Sequence, residues 1–465
     1  MPVLQSDARS TGILPVLPFS KSKPEMLIKS LKTFLILSLI LLGLGSLSLV
    51  VANTLADNQE KSIESDRQQF LSQFPNSASN QSAIALKKLA LPLGLDLAKM
   101  PNEEEAAIAE SQKQAFEEIR EELNSYLDGA VARTSDRIEA PPEKLQRYLA
   151  ANGTALEAIA SHALKEDVPQ WGTDITWIAA GDLSAPLPSF IGLVNLEKIL
   201  ALDALEKSRL GRNGEAIASF TAAWKIRQSL DGRPELIAQV LNAMVLRLQA
   251  GVMRQLDEVP AEWQQRLVER DVTKEIVKAI EGEFLYAYRG TRELADSEEL
   301  VGEEALMFES PMGRTYLRRS AIDAYNTSNS LPGLLETSNV CSFDPEAIAS
   351  SLGQAAWWNV LGQLAIPNFS PVWKRARRLQ LELELTRKIL EVKEMAAKEG
   401  KLPESLPNTE SAVCPGYEWV YEVSGDKSSL GLMPAPTLGE DSNALPLTYR
   451  LSIGNDPGRN SRLKI

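Results

Sequence analysis

The chain predicts a mostly α protein: an N-terminal transmembrane helix, an irregular, α-solenoid-like stack of antiparallel helical hairpins, and a small antiparallel β unit at the C-terminus. Three observations carry this. The nineteen residues from Phe34 to Ala52 hold no charge, and at about 1.5 Å per helical residue they cover the ~30 Å hydrocarbon core of a bilayer. From residue 83 to 398, apolar residues recur three and four apart between Pro, Gly and Asn breaks, the pattern of amphipathic helices with their stops. After Gly400 the composition turns to Gly, Pro, aromatic and β-branched residues, which suit short strands.

In chain order, residues 1–32 read as a disordered cytoplasmic segment, with Pro2, Pro15, Pro18 and Pro24 among small polar residues and Met26 as an alternative start. Residues 33–55 are the anchor. Lys21, Lys23, Lys29 and Lys32 precede it against Glu25 alone, whereas the far side is of mixed charge. The positive-inside rule then places the N-terminus in the cytoplasm and the bulk of the chain outside, periplasmic or extracellular. The alternative is a signal peptide cleaved near Thr54-Leu55-Ala56; both export the body. Residues 56–82 are polar and read as a juxtamembrane stem with little to pack.

Residues 83–370 read as an extracytoplasmic helical domain. Asn102, followed by Glu103, Glu104 and Glu105, predicts a capped helix running to Arg133 with Ile108, Phe116, Ile119, Leu123 and Tyr126 on one face. Pro141-Pro142 opens another, with Leu145, Tyr148, Leu149, Leu156, Ile159 and Leu164 apolar. A looser stretch holds Trp171, Asp174, Trp177 and Asp182, where the tryptophans either plug a gap between helix layers or line a groove. Three helices with short connections follow. One carries Leu193, Leu196, Ile199, Leu200 and Ala204 and ends at Gly211; the next carries Ile217, Phe220 and Trp224; the third carries Ile237, Val240, Leu241, Met244 and Leu248. Ala216-x-x-x-Phe220 is reminiscent of one tetratricopeptide unit, with no second copy at that period. Pro260 and Asp271 start further helices, and 300–327 is less regular. Residues 328–343 read as a loop, and Asp344-Pro345 opens a buried helix holding Trp357-Trp358. In 371–465, Ser370-Pro371 opens a helix reaching Lys398. The alternation in LQLELELT there suits a strand, but Leu, Gln and Glu favour helix.

Composition excludes more than it assigns. The formal net charge is −13, unsuited to nucleic acid. The cluster Lys374, Arg375, Arg377 and Arg378, and the glutamates of 103–122, read as solvated helix faces. A single histidine, His162, and no CxxC pair rule out multi-histidine metal sites within the chain, and no metal ligands or cofactor are expected. His162 lies late in a helix without a nucleophile motif and reads as structural. Cys341 and Cys414 are the two cysteines; in an oxidising compartment they form a disulfide or remain two buried thiols.

The long helix, then Gly400-Lys401-Leu402-Pro403-Glu404-Ser405-Leu406, the aromatics Tyr417, Trp419 and Tyr421, and Tyr449-Arg450-Leu451-Ser452-Ile453-Gly454-Asn455-Asp456 resemble the C-terminal half of pseudopilins, and the related tails of larger bacterial membrane-anchored proteins. The resemblance covers residues 371–456. It implies a small sheet packed on the helix and used in assembly within an envelope secretion machine. The N-terminal run lacks the prepilin cleavage signature, and no metal ligands are carried over.

Together these readings predict a membrane-anchored extracytoplasmic scaffold that binds protein partners in the cell envelope through grooves between its hairpins. The competing expectation is a carboxylate-dependent hydrolase acting on envelope polysaccharide or peptide, with Asp174 and Asp182 as acid and base beside Trp171 and Trp177. The hydrolase requires a deep aromatic pocket with a carboxylate of raised pKa; the scaffold requires a shallow surface.

Overall fold

The computed structural model describes residues 53–99, 104, 106–175, 180, 188–257, 259–268, 270–296, 310–337, 356, 358–359, 369–424, 427–433 and 448–452. The chain divides into two units, Met1–Gln59 and Glu60–Ile465. Of the first, residues 53–59 are described and are helical. The apolar run 34–52 and the segment before it lie outside the described residues. The second unit is mostly helical.

Residues 60–72 form helix α1. Their polar composition reads as an unpacked stem, yet the helix belongs to the body. Ile63 and Phe70, one heptad apart, are buried, and Glu60 accepts hydrogen bonds from Arg292 Nε at 2.8 Å and from Arg318 Nε and Nη2 at 2.5 Å. Ion pairing on the polar face lets two apolar anchors suffice.

Helix α2 (Gln81–Ala90) is capped by Asn80, whose Oδ1 accepts from Ala83 N at 2.9 Å. A 3-10 turn, Leu91–Leu93, ends at Gly94 with φ +77°, where a side chain would also collide with the Gln112 carbonyl. Helix α3 (Glu110–Ala132) starts later than the Asn102 cap predicts. Ala106–Ala109 are not helical, and Ala106 N donates to Asp96 Oδ2 at 3.3 Å. A tertiary bond to the preceding segment takes the backbone donor that a cap would otherwise satisfy. Phe116, Ile119, Leu123 and Tyr126 face the core as spaced. The helix after Pro142 is two helices, α4 (Glu143–Ala151) and α5 (Gly153–Lys165), broken at Asn152; Leu164 is exposed.

Helices α6 (Ile191–Arg209) and α7 (Asn213–Arg227) form a packed hairpin turned by Gly211 at φ +73°. Leu193, Leu196, Ile199, Leu200 and Ala204 are all buried. Helix α8 (Leu236–Gln255) departs from its apolar stripe: Ile237 and Met244 are exposed, while Gln239, Asn242 and Gln249 are buried. Each buried amide has a partner, Gln239 on Arg233 O at 2.8 Å, Asn242 on Arg227 Nη1 at 3.0 Å and Gln249 on Glu197 at 2.9 Å, so a polar-laced face turns inward. Among the described residues α8 is the one helix long and apolar enough to cross a membrane, and 67% of that stretch is buried inside the protein; it is a core helix.

Next come α9 (Ala261–Val268), α10 (Val272–Asp296), α11 (Pro311–Ser328) and α12 (Leu331–Thr337). Two of these are corrections. The stretch expected to be less regular contains α11, started by Ser310, whose Oγ accepts from Gly313 N at 3.0 Å, and the expected loop contains α12. Of the helix expected after Pro345, only Ala356, Trp358 and Asn359 are described and none is helical.

Helix α13 (Ser370–Glu399) ends at Gly400 with φ +70° and packs on α8, α9 and α10. Three short antiparallel strands, β1 (Glu418–Ser424), β2 (Lys427–Met433) and β3 (Thr448–Ser452), pair in the order β1-β2-β3, with Trp419 opposite Leu432 and Leu430 opposite Tyr449. Trp419, Tyr449 and Leu451 pack with Leu381, Leu385 and Ile389 of α13 in one apolar cluster. The basic cluster splits by face. Lys374 and Arg375 are exposed, but Arg377 is buried with its guanidinium 5.7 Å from the Trp373 ring, and desolvation brings its pKa down to about 10.

Candidate functional site

An open cleft of about 670 Å³ lies between residues 77–79, helix α2, and residues 98, 106–107 and 171–174. Its walls are backbone held to backbone. Ser77 and Thr173 exchange N–H···O bonds of 2.9 Å in both directions. Gly172 N donates to Ser79 Oγ at 2.9 Å and Ile175 N to Asn76 Oδ1 at 3.0 Å. Asn80 does three jobs at once: besides capping α2, it accepts from Gln170 N at 3.0 Å and donates Nδ2 to Val168 O at 3.0 Å. Ser82 Oγ donates to Asp167 O at 2.7 Å, and His162 Nε2 sits 3.0 Å from Ser82 O, the structural role its helical position predicts.

Trp171 and Asp174 both line this cleft; Trp177 and Asp182 lie outside the described residues. Trp171 is buried and donates Nε1–H to Ser229 Oγ at 2.9 Å, so it plugs the layer beneath while one side of it faces the cleft. Behind it, Arg233 donates to the Gly172 carbonyl at 3.3 Å and forms a bidentate pair with Glu235 at 2.7 and 3.0 Å. The guanidinium also lies 4.8 Å from the Phe190 ring centroid. A buried charge held by two carboxylate bonds, two carbonyls and an aromatic face fixes the 171–172 backbone.

The lining is apolar through Ala78, Ala83, Ile84, Leu91, Ala106 and Ala107. Lys87 spans to Ala98 O at 2.7 Å and Asp96 at 3.4 Å, whereas Lys88 is exposed at the rim. The buried Tyr148 donates to Leu93 O at 2.9 Å beneath the 3-10 turn, and burial raises its phenol pKa far above the ordinary value. Next to this cleft, a second hollow of about 590 Å³ is bordered by Asp96, Glu110, Lys113 and Glu117. Among the described residues, no three His, Cys, Asp or Glu side chains converge as metal ligands. Glu197, whose pKa burial pushes up to about 8, is sealed in the core and does not line the cleft.

Sequence reasoning named Trp171 and Asp174 but missed Asn80, Ile84 and Arg233. Asn80 had a signal: an Asn three residues before Ala83, where the apolar period begins, stands in a cap position. Arg233 had none, because Gly232-Arg233-Pro234-Glu235 reads as an exposed turn. Cys414 is buried and disulfide-bonded; Cys341, the other cysteine of the sequence, lies outside the described residues. Comparison of the chain with family models, with curated proteins and with solved structures returns no match.

Proposed function

We propose that this is an exported helical scaffold, tethered to the membrane through residues 33–55, whose cleft beside Trp171 receives an extended apolar segment of a protein partner in the envelope. The observation that carries the reading is the cleft itself: open, apolar in its lining, and walled by segments locked together through backbone hydrogen bonds. Rigid walls lower the ordering cost of binding. An open apolar surface suits a partner segment better than a reaction that must exclude water. The disulfide at Cys414 supports an oxidising compartment, and its pairing with Cys341 belongs to the same proposal. So do the solenoid-like arrangement of the hairpins and the use of the C-terminal unit in assembly.

Two measurements test this. A photo-cross-linking residue at position 84, on the cleft, should capture a stoichiometric envelope partner, and the same residue at position 312, exposed on α11, should not. Equal capture from both positions, or from neither, removes the cleft from the function. A non-reducing peptide map should join the peptides holding Cys341 and Cys414; separate peptides in protein from the native membrane would remove the support for export.

A further inference from the structure

The junction of α6, α7 and α8 holds a carboxyl group that the fold leaves without a countercharge. Glu197 of α6 is 0% exposed. Its Oε2 accepts one hydrogen bond, from Gln249 Nε2 of α8 at 2.9 Å, and its Oε1 has no partner among the described residues; Gln249 Oε1 and Arg227 Nε have none either. Arg227 of α7 is the nearby cation, but it is committed elsewhere. Its Nη1 donates to Asp231 at 2.7 Å and Asn242 at 3.0 Å, and Asp231 is also paired to Arg270 at 2.6 Å, which in turn reaches Glu275 at 3.0 Å. Two arginines and two carboxylates already balance. No cation among the described residues lies within ion-pair distance of Glu197, so an ionised Glu197 would add one uncompensated negative charge to a closed interior. From α3, the remaining neighbour of α6, Asn124 and Asp128 act on Lys198 rather than on Glu197.

We propose that Glu197 is a proton-binding site: the native fold holds it as the neutral acid, and ionising it loosens the α6–α7–α8 junction, which makes the body a pH-responsive device favoured by acid. The unpartnered oxygens around it fit a carboxyl O–H, or a water beside it, bridging Glu197 to Gln249. Burial pushes the Glu197 pKa up to about 8, against the opposing pull of Gln249 and Arg227. The sign follows. Between the ordinary value of 4.5 and about 8, the native state binds this proton and the unfolded chain does not. Stability therefore falls as pH rises through that window and levels off above it. Burial moves Glu275 and Glu283 in the same direction, while the Arg67 hydrogen bond moves Glu64 the other way, so the Glu197 contribution is read as a difference.

The test is urea unfolding of the full chain from pH 5 to pH 9, wild type against Glu197→Gln. The expected result is a wild-type unfolding constant that grows by up to about tenfold per pH unit more steeply than the variant's below pH 8, with the variant at least as stable at pH 9. Parallel pH profiles, or a variant uniformly less stable at every pH, would overturn the proposal. Should Glu197→Gln fail to fold, Glu197→Met serves the same comparison. Should both fail, the infrared spectrum of Glu275→Gln/Glu283→Gln protein at pH 7 decides. A protonated-carboxyl band that vanishes on unfolding supports the proposal, and its absence refutes it.

Discussion

At Gly192 the first turn of α6 lies against the backbone of residues 96–97, so close that an added Cβ would overlap the Asp96 carbonyl oxygen. Leu193 N donates to Leu97 O at 2.8 Å across the same contact, and Lys99 and Ser189 exchange a pair of 2.8 Å bonds beside it. Backbone cannot yield as a side-chain tip does, so Gly192→Ala should cost roughly 2–3 kcal/mol or more, read as a lowered urea midpoint. The Arg233–Glu235 pair gives a second expectation. Both side chains are almost fully buried, so Arg233→Ala, which strands the carboxylate, should cost about 3–5 kcal/mol. Removing Glu235 as well should recover part of that, and a double-mutant cycle by chemical denaturation measures it. Neither residue announces itself in the sequence. A close approach of two backbones is a three-dimensional fact, and an Arg beside a Pro in a turn looks like any exposed charge. Gly211 was read from the sequence, and Asn80, though missed, carried a readable signal, because turns and caps are local chemistry.

Helix α13 shows how an element can be read correctly while its pattern is misleading. Leu381, Leu383 and Leu385 are buried, and so are Glu382 and Glu384 between them. The two-residue alternation survives in a helix because α13 is covered on more than one side. Glu382 accepts from Arg378 and Arg247 at 3.2 Å, and Glu384 accepts from Ser411 Oγ at 2.6 Å and Ala412 N at 2.7 Å. The strands and the 402–414 segment close over the Leu381, Leu385, Ile389 and Val392 stripe. Truncating Ile389 to Ala should cost about 2–5 kcal/mol, measured by denaturant titration. Deleting residues 401–465 should go further and bare the stripe, seen as strong binding of a hydrophobic dye and loss of monodispersity. Helix propensity settled the type of this element. The inward polar face of α8 was not legible, because Gln239, Asn242 and Gln249 face inward only where partners from α6, α7 and the preceding turn meet them.

Across the whole molecule, the predominance of helix follows from periodicity and breaks, whereas the limits of the body do not follow from composition. The segment 60–72 looked too polar to pack, yet it is pinned by Glu60 to α10 and α11 through Arg292 and Arg318. The helix Leu236–Gln255 is apolar enough to span a bilayer but is largely buried inside the protein. A chain beginning at residue 57, secreted into an oxidising compartment, should therefore elute as a single species in aqueous buffer; a requirement for detergent would mean that the apolar surface of α8 is not covered as described. The candidate site was legible only in part. Trp171 and Asp174 bring residues to the cleft, but its walls come from pairings 90 or more residues apart, such as Asn80 with Gln170 and Asn76 with Ile175.

The packing of α13 against α8 has a consequence for how the molecule is made. Arg254 Nη1 donates to Thr386 Oγ1 at 2.9 Å, and Tyr449 Oη donates to the Arg254 carbonyl at 3.0 Å. The side of α8 turned toward α10 and α13 thus waits for partners that a ribosome has not yet delivered. At about 5–20 residues per second, the interval between finishing α8 and finishing α13 is roughly 7–30 s. For that time the nascent protein carries a core helix open on one side, and apolar enough for an insertion machinery to mistake for a membrane span.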